Sequence, residues 1–156
     1  VSKVIVKDNG AKALLARAHK LAAGRVVRVG VLDDAQKTEH DGGASQMSLL
    51  EVAATHEFGA PAANIPQRSF IRGTVEAKGV EIATLQVSLA KRVIEGKLEP
   101  DAALEQLGAK VVAMVQNRIA DGIAPALNPE TVDRKGSTTP LIDTGQLRSS
   151  ITYRVG

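Results

Sequence analysis

The most suggestive short string in the chain is Leu141-Ile142-Asp143-Thr144-Gly145. Two apolar residues ahead of Asp-Thr-Gly suit a loop in which paired carboxylates share one proton, the chemistry of aspartic proteases. That chemistry needs a strand after the loop and a flap over it. Gln146-Leu147-Arg148-Ser149-Ser150 follows instead, with too little chain after it for a flap. The plainer expectation is that Asp143 caps a helical turn and Gly145 permits a tight bend. His56-Glu57 offers an acid–base pair, but neighbours on a helix point to different faces, so a satisfied, half-buried histidine is expected. Ser149 and Ser150 lie outside any Gly-x-Ser-x-Gly elbow. Gly42-Gly43 is not followed by the Gly-Lys-Ser/Thr of a phosphate loop.

Composition narrows the field further. There are no cysteines among the 156 residues, which excludes thiolate catalysis, disulfides and Cys-ligated zinc. His19, His40 and His56 are scattered, with no pair at the helical spacing of metal ligands. The expectation is a non-enzyme with no cofactor and no metal. Aromatic residues are only Phe58, Phe70 and Tyr153, so the core must be aliphatic and single-stranded nucleic acid has few rings to stack on. No apolar run approaches the ~20 residues that span a bilayer, so the expectation is a soluble intracellular product without a membrane partner.

Net charge is +3, but its distribution is uneven. Residues 1–32 carry seven basic and one acidic side chain, whereas residues 33–57 carry one basic and six acidic. Such segregation suits docking between subunits, and it is also ordinary surface variation. Lys12, Arg17, Lys20, Arg25 and Arg28 give some support to a basic DNA-binding accessory protein, although no recognition helix can be named. Lys110 and Arg118 read as solvated.

The elements that must position these residues follow from periodicity. Ser2 to Val6 alternates weakly, as a strand or an arm. Asp8 or Asn9 caps a helix over residues 10–23, which Gly24 ends. Arg25 to Leu32 is a strand with Val27, Val29 and Val31 on one face. A polar loop covers 33–46, and a short helix covers Ser48 to Glu57, closed by Gly59. Pro61 and Pro66 keep 60–67 irregular. A long helix runs from Ser69 as N-cap to Glu95, with the stripe Ile71, Val75, Ile82, Leu85, Leu89 and Val93. A second runs from Pro100-Asp101 to Gly122 through Leu104, Leu107, Val111, Val115 and Ile119, and the two form an antiparallel hairpin. Residues 123–140 are a long loop. A helical turn over Thr144 to Ser149 leads into a strand, Ile151 to Val155, that pairs with Arg25–Leu32. The fold class is therefore α+β: one domain over 1–156, with an N-terminal arm and helix (1–24), a small antiparallel sheet and long helices packed on it.

Three blocks together resemble a known family. Ala54-Thr55-His56-Glu57-Phe58-Gly59, then Ile65-Pro66-Gln67-Arg68-Ser69-Phe70-Ile71, is similar to its Glu-Phe-Gly … Ile-Pro-x-Arg-Pro-Phe signature. The stretch from Thr131 and Lys135 through Pro140-Leu141-Ile142-Asp143-Thr144-Gly145-Gln146-Leu147 to Ser150-Ile151 is similar to its ending. The family is the tail-completion or neck proteins of tailed bacteriophages, also called the virion morphogenesis family. Ser69 departs from the family's usual proline. The likeness runs from about residue 27 to 155.

The resemblance implies a structural virion protein, made in the host cytoplasm. It implies a homo-oligomeric ring, commonly hexameric, at the head–tail junction. A head connector or adaptor would lie on one side and a tail terminator or tail tube on the other, with phage DNA passing through the lumen. A tail-terminator ring is the near alternative. The signature residues Phe58, Gly59, Ile65, Pro66, Arg68, Phe70, Asp143, Thr144, Gly145, Leu147 and Ile151 take structural roles. Phe58 and Phe70 are expected to anchor an elbow with Ile65 between them, and the five basic residues to face subunit contacts or the lumen.

Overall fold

The computed structural model describes residues 10–32, 48–125 and 145–156. Among them the chain is α+β, with helices dominating a two-stranded sheet. Strand β1 (Val27–Val31) pairs antiparallel with β2 (Ile151–Val155), with Val29 opposite Tyr153 and Val31 opposite Ile151. Gly156 and Val26 extend the ladder by exchanging backbone hydrogen bonds at 2.8 and 3.0 Å. The pairing expected from the two valine-rich stretches is the one observed. β-branched residues suit a pleated surface that is buried on one side.

Helix α1 (Ala11–Ala22) ends before Gly24, which sits at φ +72 and terminates the helix at no steric cost. Its start differs from expectation. The N-cap position is Gly10, in the left-handed region and without a side-chain cap, while Asp8 and Asn9 lie outside the described residues. Residues 11–16 are all exposed, and α1 meets the body through its second half, where Leu21 packs against the cluster of Leu89, Val93 and Ala103.

Helix α2 (Leu49–Phe58) begins with a reciprocal capping box. The Glu51 amide donates to Ser48 Oγ at 3.3 Å, and the Ser48 amide donates to the Glu51 carboxylate at 2.8 Å. These bonds, backbone first, hold the Glu51 carboxyl below its ordinary value. The bonded form is the ionised one. The contribution of Glu51 is therefore complete above the normal carboxylate range and disappears as pH falls through the lowered folded value. Ser48→Ala should cost about 1 kcal/mol, read as a lower midpoint in urea with an unchanged slope. No shift in midpoint would show that the box contributes nothing.

Helices α3 (Arg72–Ile94) and α4 (Pro100–Asp121) form the expected antiparallel hairpin. Gly96 turns between them at φ +72, and Gly122 ends α4 at φ +82. Pro100 occupies the first turn of α4, where its missing N–H costs nothing. Helix α4 is the spine. Val115 and Ile119 join the main core with Leu49, Ala53, Phe70, Leu147 and Ile151, while Ala103 joins the second cluster. The ring of Tyr153 lies directly over Gly108, leaving no room for a β-carbon there. The short helix α5 (Gln146–Ser150) starts at Gly145, at φ +74, and delivers Leu147 and the following Ile151 into the core.

Four expectations need correction. Residues 66–67 are irregular as expected, but 60–65 are not: Pro61–Ala63 is a 3-10 turn, closed by an antiparallel bridge between Ala60 and Ile65. Helix α3 begins at Arg72, three residues after Ser69, although Ser69 Oγ still accepts from the Gly73 amide at 3.1 Å. Val75 faces solvent, because the first turns of α3 approach α4 through the small buried residues Gly73 and Thr74. The loop assigned to 123–140 begins inside the structure, with Ile123 in the main core. The expectations for residues 2–6, Asp143, Thr144, loop 33–46 and the rest of 123–140 fall outside the described residues.

Candidate functional site

The densest polar construction joins α2 to α3. Glu57, in the last turn of α2, is buried. Its carboxylate accepts four hydrogen bonds, from Ser69 Oγ at 2.5 Å and from the backbone amides of Phe70, Ile71 and Arg72 at 2.8, 2.9 and 3.0 Å. Those amides open α3, whose own first turn holds no acidic residue and whose N-cap residue makes no side-chain bond. Glu57 thus caps a helix that begins 15 positions later in the sequence. Its negative charge sits where the helix dipole favours an anion. The main chain of the linker is tied back to the same helix. Gln67 Nε2 donates to the Glu57 carbonyl at 2.9 Å, and the Arg68 amide donates to the His56 carbonyl at 2.8 Å.

Gly59 makes the reversal possible. It sits at φ +77, and a β-carbon there would lie 2.9 Å from the Gln67 backbone nitrogen. Arg68 is buried, its Nε donating to the Pro125 carbonyl at 3.0 Å. Burial lowers the guanidinium pKa from its ordinary value. Arg118 is not solvated as expected. It lies half-buried across Gly73, where a β-carbon would meet the guanidinium at 2.6 Å, and its Nε donates to the Ser69 carbonyl at 3.2 Å.

The two aromatic anchors separate. Phe70 is fully buried, whereas Phe58 is 69% exposed. Adjacent helical residues point about 100° apart, and Glu57 takes the inward direction, so Phe58 must point out. Ile65 is half-buried beside its bridge to Ala60. Pro66 is exposed. His56 is half-buried, as expected, but among the described residues its buried Nδ1 does not make the hydrogen bond expected of a satisfied histidine.

The basic residues divide as well. Lys20 and Arg25 both pair with Asp101 in the first turn of α4, the former at 3.8 Å. Arg17 packs its guanidinium over Gly96 in the α3–α4 turn. Lys12 and Arg28 are exposed on α1 and on the outer face of β1. Three of the five therefore stitch α1 and β1 onto the hairpin within one subunit.

The one hydroxyl held against a carboxylate in this elbow is Ser69 on Glu57, and three backbone amides occupy the same carboxylate. Among the described residues no three His, Cys, Asp or Glu side chains gather as metal ligands, and no helix is long and apolar enough to cross a membrane. The Glu57 carboxylate is fully engaged by backbone and hydroxyl donors, which leaves it a structural rather than a catalytic role. Sequence reasoning missed it, although one signal was present. An acid in the last turn of a helix opposes the dipole and so calls for a partner outside that helix. The capping-box spacing of Ser48 and Glu51 was a second readable signal. No family model, curated protein or solved structure matches this chain.

Proposed function

We propose that this chain is a tail-completion or neck protein, forming a ring that joins a DNA-filled phage head to its tail. One observation carries the reading. The two sequence blocks that resemble the family, about 75 positions apart, pack into a single core: Phe70 from the first meets Leu147 and Ile151 from the second, over Val115 and Ile119 of α4. Blocks with no structural relation would have no reason to occur together. The interlocked elbow around Glu57 gives a rigid body of the kind a load-bearing ring subunit needs. The segregated charge of residues 1–32 and 33–57 suits the complementary edges of a head-to-tail ring.

The test is negative-stain electron microscopy of lysates after the gene is deleted from its parent genome. Filled heads beside finished, unattached tails are the expected result. Tails of runaway length would assign the chain to the tail-terminator role instead. Normal infectious particles would remove the phage reading and bring forward the DNA-binding accessory role, which salt-dependent DNA affinity of the free subunit would then establish.

A further inference from the structure

Helix α3 is apolar on both sides. Its inner side buries Leu89 and Val93. On the outward side, Val80, Val87 and Ile94 stand at seven-residue intervals and are 84%, 70% and 41% exposed, Val80 directly opposite Leu89. Between Gly79 and Ala90 the only charged residue is Glu81, and it is paired sideways with Lys78 at 3.1 Å. The remaining outward positions, Ala83, Thr84 and Ser88, are small. Thr84 donates its hydroxyl to the Val80 carbonyl at 2.8 Å, which removes its donor from the surface. Single exposed valines are ordinary, but a heptad-spaced stripe with small neighbours and no charge is the face of a helix that packs on another helix.

Its ends indicate which helix. The stripe is bracketed by two i,i+4 ion pairs, Arg72–Glu76 at 4.0 Å and Lys91–Glu95 at 3.9 Å, with Glu95 also holding Lys97 at 2.8 Å. Both read basic then acidic along the chain. A second copy of α3 laid antiparallel therefore sets Arg72 near Glu95 of the second copy and Glu76 near its Lys91, while Val80 meets its Val87. A parallel copy would oppose Glu76 to Glu76 and Lys91 to Lys91. We propose that the outer face of α3 is a two-fold contact at which free subunits pair through antiparallel α3 helices. A contact of this kind buries less than ~1,000 Å² and gives a weak dimer, with a dissociation constant of about 10–100 μM. The proposal is independent of the joining role.

Sedimentation of the full chain over rising concentration should move the mass from 16.3 kDa toward twice that value. Val80→Asp with Val87→Asp should hold it at the monomer without changing the far-ultraviolet spectrum, since both side chains are exposed. Glu76→Lys should weaken pairing about tenfold, and adding Lys91→Glu should restore it. The chain has no cysteine of its own, so register can be read directly. A mixture of Val80→Cys and Val87→Cys chains should cross-link, whereas each alone should not, because like positions sit about 10 Å apart along the axis. A chain that stays monomeric to about 1 mM would overturn the proposal. Self-linking of Val80→Cys alone would do the same, as would any assembly unmoved by the paired aspartates.

Discussion

Phe70→Ala should destabilise the protein by about 3–5 kcal/mol. The ring is fully buried in the main core, among Leu49, Ala53, Val115, Ile119, Leu147 and Ile151. That core is otherwise aliphatic, and Phe70 is one of only three aromatic residues in the chain. Truncation leaves a cavity among these packed side chains, which relax only in part, so a cavity penalty adds to the lost transfer energy. For a domain of this size the loss corresponds to a fall in melting temperature of roughly 10 °C. Phe58→Ala is the control. The same truncation on an exposed ring should stay within about 0.5 kcal/mol. Equal effects at the two positions, measured by urea unfolding, would refute the assignment of Phe70 as the core anchor.

Removing the Glu57 carboxylate should come close to that in cost. Glu57→Ala strips one hydroxyl and three amide donors at the head of α3 of their acceptor. Charge-assisted bonds to a buried group each contribute up to about 3 kcal/mol, and water entering the vacated space recovers part of the loss, so a net cost of about 3–4 kcal/mol is expected. Glu57→Gln should cost roughly half as much, because the amide keeps one acceptor oxygen but turns an NH2 group toward donors. Hydrogen exchange gives the site-specific readout. The amides of Phe70, Ile71 and Arg72 should exchange faster in the alanine variant, while those of α4 change only with global stability. Unchanged protection at all three amides would mean that Glu57 is not the cap.

The contrast between these two residues separates what was legible in the sequence from what was not. Helix α1, β1, the α3–α4 hairpin and the terminal strand all follow from local rules. Val27, Val29 and Val31 alternate at period two, Gly24, Gly96 and Gly122 end helices in the left-handed region, and Pro100 begins one. Each of these preferences is set by a residue's own backbone and nearest neighbours, and so survives in a one-dimensional reading.

The elbow does not. Whether Phe58 or Phe70 is the buried ring depends on which way the last turn of α2 faces. That direction is decided by Glu57 reaching the amides of a helix that begins 15 positions away. In the same way Arg118 is half-buried because Gly73 opens a seat for it on α3, and Lys20 and Arg25 turn toward α4 because it presents Asp101 between them at the surface. Glycines, turns and alternation encode the elements of this protein by themselves. The partners of Glu57, Arg118, Lys20 and Arg25 were decided only when folding brought distant donors and acceptors into contact, which no spacing along the chain records.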